Sequence, residues 1–136
     1  MSNREKQLEI ELDKVKISEF LKELDLTENQ FYGVDEINDN LFLGGLTEIP
    51  KGFNPKINGY LEMPDVEYLH ENFQPIVTRH LDLGSLKEIP KGFNPTVGTI
   101  LFLDEIEELG PDFKCTIHSG RIKTKNFLGK LMEITK

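Results

Sequence analysis

The sequence of 136 residues contains a single cysteine, Cys115, and no apolar run that approaches the roughly 18 residues needed to span a membrane. One thiol excludes an internal disulfide framework and is typical of a reducing environment. The first residues are polar and are not followed by an apolar core, so we expect no secretory signal. The sequence therefore favours a cytoplasmic protein in which Cys115 is a small, half-buried filler rather than a catalytic thiol.

Arrangements of residues that support catalysis or metal binding are also sparse. The three histidines, His70, His80 and His118, share neither a helix face nor metal-ligand spacing, and the motifs His-Glu-x-x-His and Cys-x-x-Cys are absent. His80 beside Asp82 is the one cluster that suits proton chemistry, and no nucleophile accompanies it. The sequence predicts no enzyme activity, no metal site and no cofactor, with a small enzyme centred on His80 as the third-ranked alternative.

Charge is distributed unevenly along the chain, whose formal net charge is -8. Residues 1–115 carry 11 Lys or Arg and 23 Asp or Glu, whereas residues 116–136 carry five basic residues and one acidic residue. Acidic surfaces repel nucleic acids and anionic membranes and attract basic surfaces. We therefore expect a protein partner with a basic surface, no direct contact with nucleic acid and no membrane, while the oligomeric state is left open.

A unit of 20 residues is written four times between residues 41 and 120. An octapeptide, Glu-Ile-Pro-Lys-Gly-Phe-Asn-Pro, occurs at residues 48–55 and returns unchanged at residues 88–95. A fixed period of this length predicts a solenoid, in which each coil buries its apolar side against its neighbours. Six apolar columns persist through the four rows without an insertion: Leu41/Leu61/Leu81/Leu101, Leu43/Met63/Leu83/Leu103, Leu46/Val66/Leu86/Ile106, Ile49/Leu69/Ile89/Leu109, Phe53/Phe73/Phe93/Phe113 and Ile57/Val77/Val97/Ile117.

Each row predicts one short strand followed by an irregular back. The first three positions, as in Leu81-Asp82-Leu83, alternate between inward and outward side chains as a strand does. Inward residues then recur at spacings of three and four, which favours a 3₁₀-like back. Because prolines such as Pro50 and Pro55 cannot donate to a ladder, we expect parallel strands along the front of the coils only.

The two ends differ from the repeat, and we interpret them as caps that cover the open coils. Residues 1–36 form the predicted N-terminal helical cap, residues 37–120 the four-turn solenoid, and residues 121–136 the basic C-terminal cap. All three belong to a single domain.

Several local features of the N-terminal cap are predicted by the pattern of its residues. The alternation of residues 8–13 fits either a strand or a helix that runs from about residue 5. A helix with Ser18 as its N-cap follows from the apolar stripe beyond it. Thr27-Glu28-Asn29-Gln30 has the spacing of a capping box, so a brief turn of helix should follow.

At the other end the apolar columns stop after Gly120, because Arg121 and Lys123 stand one period after Leu101 and Leu103. Residues 121–125 fit a last strand with reversed facing, whose lysines protect an edge. Residues 127–134 offer a short apolar helix or strand, and the pattern does not decide between the two.

With the unit Leu-x-Leu-x-x-Leu-x-x-Ile-Pro-x-x-Phe in view, residues 41–120 resemble the leucine-rich repeat family. The closest subtype is the short one of about 20 residues with a Leu-Pro or Ile-Pro back, common in bacterial effector and bacteriophage proteins. The resemblance implies a curved solenoid with one sheet, which binds a protein partner through its concave strand face. The family's usual asparagine after the strand is replaced here by Leu46, Val66, Leu86 and Ile106.

The outward positions of the predicted strands carry large apolar side chains around a few charges. The rows are Asn40/Phe42, Tyr60/Glu62, His80/Asp82, Ile100/Phe102 and Gly120/Ile122. Aromatic residues beside charges are typical of protein-binding hot spots. The alternative is that caps or a second subunit cover Phe42 and Phe102. We predict that the partner is bound by Phe42, Tyr60, Glu62, His80, Asp82, Ile100 and Phe102.

A second column, on the predicted back of the coils, makes an acidic strip of Glu48, Glu88 and Glu108. Its simplest interpretation is a solvated face. The leading functional prediction is a non-enzymatic protein-binding module, such as a stand-alone inhibitor or adaptor. The alternative is an acidic decoy that mimics nucleic acid, as a phage counter-defence inhibitor of a nucleic-acid-binding enzyme would.

Overall fold

The structure, a computed structural model, describes residues 3–125. Two helices, α1 (Asn3–Leu24) and α2 (Glu28–Phe31), precede ten short strands in this part of the chain. The strands are β1 (Glu36–Ile37), β2 (Leu41–Phe42), β3 (Lys56–Ile57), β4 (Leu61–Glu62), β5 (Ile76–Val77), β6 (Leu81–Asp82), β7 (Thr96–Val97), β8 (Ile100–Leu103), β9 (Thr116–Ile117) and β10 (Arg121–Thr124).

The strands stack into two parallel five-stranded sheets. The odd-strand sheet has the order β1-β3-β5-β7-β9, and the even-strand sheet has the order β2-β4-β6-β8-β10. Each coil supplies one strand to each sheet, and the pairing follows the 20-residue period, as in Leu41 opposite Leu61 and Leu61 opposite Leu81. The chain is therefore a parallel β-solenoid with an N-terminal helix, and the predicted repeat solenoid is confirmed at this level.

The odd-strand sheet corrects the expectation that strands lie along the front of the coils only. Pro55, Pro75 and Pro95 each stand directly before an odd strand, where a missing N–H removes no bond of the ladder. Each proline instead accepts through its carbonyl oxygen, which lies 2.9 to 3.0 Å from the amide nitrogen of a residue in the next coil. The single sheet that the family resemblance implied is consequently wrong.

The core lies inside the coils, where side chains of both sheets and of the irregular segments meet, and it follows the predicted columns. Leu61, Leu81 and Leu101 are completely buried in consecutive coils. The phenylalanine column continues along the solenoid, with ring centroids 6.3 Å apart for Phe73 and Phe93. Burying a leucine or phenylalanine side chain stabilises a fold by about 1.5–3 kcal/mol. The same column in every coil therefore joins the coils into one continuous core.

Asparagine side chains tie neighbouring coils together outside the core. The Asn40 Oδ1 atom accepts from the backbone N–H of Tyr60 at 3.0 Å. The Asn54 Oδ1 atom accepts in the same way from Gln74 at 2.6 Å. Each bond joins residues one period apart, so amide groups link the coils here from positions other than the one that leucine-rich repeats use.

The N-terminal helix α1 runs without interruption from Asn3, which decides between the strand and the helix left open for residues 8–13. Ser18 lies inside this helix, so its predicted role as N-cap is wrong. The capping box at Thr27 is present, because the Thr27 side chain accepts from Gln30 N–H and the Gln30 side chain accepts from Thr27 N–H, both at 3.0 Å.

Three phenylalanine rings attach the helices to the first coil. The Phe20 centroid lies 5.7 Å from that of Phe31 and 5.1 Å from that of Phe53, with both pairs close to perpendicular. Edge-to-face pairs of this kind are favourable beyond the area they bury. The helical segment therefore extends the phenylalanine column of the solenoid by two rings.

The last described strand is shifted by one residue relative to the repeat. Ile122 pairs with Leu101 and Thr124 with Leu103, so residues 21 positions apart face each other. Ile122 is buried, and the predicted outward row Gly120/Ile122 is wrong. Arg121 and Lys123 take the outward positions of this row, as the reversed facing predicted. The predicted helix or strand at residues 127–134 lies outside the described residues.

Candidate functional site

The seven predicted binding residues lie on one face of the solenoid, the outer face of the even-strand sheet. They occupy two columns, because the strands pair with a fixed register. The first column contains Tyr60, His80 and Ile100, and the second contains Phe42, Glu62, Asp82 and Phe102. We call this surface the strand face and define it by these seven residues together with Arg121 and Lys123, which continue the columns on β10.

A stack of rings follows the middle of the strand face. The Tyr60 and His80 rings are stacked and nearly parallel, with an interplanar angle of 13° and centroids 4.8 Å apart. The Phe102 ring meets His80 edge to face at 5.7 Å. The Lys123 Nζ atom lies 6.0 Å from the Phe102 centroid, at the outer limit of a cation–π contact. These contacts hold the rings in fixed positions, and all four side chains are partly exposed.

Carboxylates lie beside this stack. The Glu62 Oε2 atom is 3.0 Å from His80 Nε2, and about a quarter of each side chain remains exposed (28% and 27%). The Asp82 Oδ1 atom accepts from the backbone N–H of Gly84 at 2.9 Å. Asp104 follows one coil later and pairs with Lys123 at 3.0 Å. The strand face and the adjoining Asp104 thus combine three carboxylates with one histidine, one lysine and one arginine.

The environment raises the pKa of Asp82 above its ordinary value. Burial is the main cause, since it disfavours the charged carboxylate. The negative charges of Glu62 and Asp104 act in the same direction, whereas the Gly84 N–H and the charge of His80 oppose it. Ionisation of Asp82 therefore carries a cost, which a cationic group at this place would reduce.

Phe42 differs from the other aromatic residues of the strand face, because 62% of it is exposed. It lies at the N-terminal edge of the sheet on β2, and its ring lies across Gly44, where a Cβ atom would collide with it. Helices α1 and α2 do not cover Phe42. Phe102, by contrast, is half-buried by His80 and Lys123.

Two polar residues beside the rings were not among the predicted binding residues. The reversed facing of residues 121–125 predicted an outward Lys123 that protects an edge, and the structure also places this side chain beside Phe102. Asp104 lies just after the strand residues of its coil, outside the predicted outward columns, and it forms an ion pair with Lys123. The usable signal was the Ile122/Thr124 alternation, which offers small or apolar side chains at the two inward positions of a shifted strand.

The predicted acidic strip lies elsewhere on the molecule. Glu48, Glu88 and Glu108 are exposed, as is Tyr68 at the same position of the second coil. Glu48 forms an exposed ion pair with Lys16 of α1 at 3.3 Å. Exposed pairs of this kind contribute about 0–1 kcal/mol. The strip therefore presents carboxylates to solvent in the first, third and fourth coils, with Tyr68 in the second.

Other candidate chemistry is limited within residues 3–125. No group of three His, Cys, Asp or Glu residues there is placed to hold a metal ion. No helix of this part of the chain has the length and apolar character to cross a membrane. Cys115 is completely buried, not half-buried as predicted, and burial raises the pKa of its thiol to about 11. This thiol is consequently a poor nucleophile.

Comparison of the chain with protein-family models, with curated proteins and with solved structures finds no significant match. The class of the protein is therefore defined by its fold, a parallel β-solenoid of 20-residue coils that follows an N-terminal helix. Membership of the leucine-rich repeat family and a cytoplasmic location both stay predictions.

Proposed function

We propose that this protein is a non-enzymatic binding module, acting as an inhibitor or adaptor, that holds a protein partner on its strand face. The observation that carries the proposal is Phe42, a large apolar side chain that is 62% exposed beside carboxylates. An aromatic anchor next to charged groups is the usual composition of an interface hot spot. Outward strand positions can differ from coil to coil, because only the inward positions of the repeat form the core.

The remaining rings of the strand face support this function through their rigidity. Tyr60, His80 and Phe102 are held by contacts with one another, so binding would cost little additional side-chain entropy. They form a firm, partly apolar platform next to the exposed anchor Phe42. Such a platform suits a partner surface that is already folded.

The charges of the strand face favour a cationic partner. Glu62, Asp82 and Asp104 lie together, and the raised pKa of Asp82 reflects their mutual repulsion in addition to burial. A lysine or arginine of the partner would relieve that repulsion. Complementary charge also accelerates association, most strongly at low salt.

We also infer that the coils are related to the short leucine-rich repeats. The Leu-x-Leu strand and the Ile-Pro and Phe positions support this relation. The odd-strand sheet is an addition to the single sheet of that family.

The experiment recovers the partner from the native host with the wild-type protein and then measures its affinity for variants. Phe42→Ser is expected to weaken binding by at least about tenfold, since hot-spot truncations cost about 2 kcal/mol or more. Tyr68→Ser is the matched control, because Tyr68 is similarly exposed (59%) but lies with the acidic strip. Equal affinities for Phe42→Ser and wild type would contradict the proposal, provided that both proteins have the same melting temperature.

A second candidate function, the acidic decoy, is favoured by the exposure of Glu48, Glu88 and Glu108. Adjacent coils are spaced like adjacent strands, about 4.8 Å apart, so Glu88 and Glu108 are neighbours and Glu48 lies two coils before Glu88, with Tyr68 between them. A nucleic-acid-binding enzyme would accept these carboxylates in place of phosphates. The decoy predicts that partner affinity falls steeply between about 50 and 500 mM salt and is lost on replacing the three residues with Gln. Affinity indifferent to both changes would refute it.

A further inference from the structure

The N-terminal half of α1 carries apolar side chains that the solenoid does not cover. Residues 3–16 are exposed throughout. Among them Leu8, Leu12 and Val15 are 53%, 62% and 52% exposed. Their spacing of four and three residues places them in one stripe along the helix. Three large aliphatic side chains in a row are more than a solvated helix needs, since isolated surface residues of this kind are normally scattered.

The stripe faces away from the body of the protein. At about 100° per residue, it is centred roughly 160° around the helix from the anchoring residues. Those residues are Ile17, Phe20, Leu21 and Leu24, which pack against the core. A second helix can therefore lie along the stripe without meeting the solenoid to which α1 is attached.

The stripe has the heptad pattern of a short coiled coil. Leu8 and Val15 occupy d positions, and Leu12 occupies the a position between them. In a parallel pair, each g residue faces the e residue of the following heptad in the other helix. Arg4 would then face Glu9 of the second copy, and Glu11 would face Lys16. Both contacts join opposite charges, and symmetry doubles them to four.

Antiparallel arrangements of the same two helices are less favourable. In the first antiparallel register, Leu8 lies opposite Leu12 of the second copy. Glu9 then approaches Glu9 of the second copy, and Glu11 approaches Glu11 of the second copy. Placing Leu12 opposite Val15 puts Leu8 against Glu19. The first register is unfavourable because the paired glutamates repel each other. The second register is unfavourable because it buries the Glu19 carboxylate beside the apolar side chain of Leu8. The parallel pair also brings Glu5 and Glu19, at the a positions on either side of the three apolar layers, near their counterparts in the second copy. Its four opposite-charge contacts outnumber these two like-charge contacts, so charge favours the parallel pair.

We propose that two copies of this protein associate through a parallel coiled coil of Leu8, Leu12 and Val15. The two solenoids then lie on opposite sides of the helix pair. Within one chain, Lys16 contacts Glu48 at 3.3 Å and Gln7 contacts Glu11 at 3.4 Å, and both contacts are exposed. In the dimer, contacts of Lys16 and Glu11 with the second copy replace them. With three apolar layers the interface is small, so the dimer is weak and forms with rising concentration.

Sedimentation equilibrium between about 10 µM and 1 mM tests the proposal. The apparent mass should rise with concentration from 15.6 kDa towards twice that value. Leu12→Ser is expected to remain monomeric. Ile10→Ser is the matched control, because Ile10 is exposed on the same helix outside the stripe, and it should associate like the wild type. A wild-type protein that stays monomeric at 1 mM overturns the proposal, as does a Leu12→Ser variant that still dimerises.

Charge and orientation provide two further measurements. Glu11→Lys should weaken the dimer by placing like charges together, and the double variant Glu11→Lys/Lys16→Glu should restore it. Glu5→Cys, at an a position, should form a covalent dimer on mild oxidation when the helices are parallel. A covalent dimer that fails to form while association persists overturns the parallel arrangement. Phe42→Ser should dimerise normally, which separates this proposal from the function of the strand face.

Discussion

Replacing Phe20 with alanine is expected to destabilise the attachment of α1 by about 3–5 kcal/mol, the usual cost of deleting a buried phenylalanine ring. Phe20 is the one residue of α1 that is buried, and its ring meets Phe31 and Phe53 at 5.7 and 5.1 Å. The two edge-to-face pairs account for about 0.5–1.5 kcal/mol each. Because a solenoid is stabilised unit by unit, this loss falls on the helical segment and the first coil.

Urea unfolding followed by circular dichroism at 222 nm measures this loss. With a slope of about 1–3 kcal/mol per molar urea, the helical transition should shift by about 1–5 M or separate from that of the coils. Ile10→Ala, at a 48% exposed position of the same helix, should change stability by no more than about 0.5 kcal/mol. Both proteins are compared at low micromolar concentration, where association is absent. A Phe20→Ala loss below about 1 kcal/mol would show that the ring cluster does not anchor α1.

Two other residues give predictions that depend on proton equilibria. The pKa of Asp82 is raised above its ordinary 3.8, so its ionisation costs stability at pH values above the folded-state pKa, and the cost fades as the pH falls towards 3.8. Asp82→Asn should therefore raise the melting temperature at pH 7 and lose this advantage on acidification; an advantage that grows on acidification would contradict the assignment. Cys115, with a thiol pKa of about 11, should react with a thiol reagent at pH 8 only as fast as the fold opens, and rapid labelling of the native protein would refute its burial.

The buried columns of the solenoid were predictable because the apolar residues that form them recur at a fixed period in the sequence. Leu61, Leu81 and Leu101 recur every 20 residues, and the structure buries all three. The odd-strand sheet was not predictable by the same reasoning. Its strands are two residues long, and the prolines before them were judged by the donor they lack. The odd strands can pair because each proline still accepts a hydrogen bond through its carbonyl oxygen, as Pro55 does from the backbone N–H of Ile76.

The candidate site shows the same division between pattern and context. Alternation around the leucine column was enough to place Tyr60 and His80 outward. It was not enough to show that their rings stack, since stacking depends on rotamers that the sequence does not specify. The reversed facing of residues 121–125 predicted an outward Lys123, but its contacts with Phe102 and Asp104 depend on a register shift of one residue in β10 that the sequence does not specify.

The identical octapeptides at residues 48–55 and 88–95 occupy equivalent places in two coils separated by one other coil. A crossover between the DNA segments that encode them would remove or add 40 residues in frame. The join would restore every apolar column and every strand partner, because the excised or inserted segment is two whole coils. The length of this protein is thus free to change in steps of two coils without an intermediate that has a broken core, and each step would renew the outward columns with a different set of side chains.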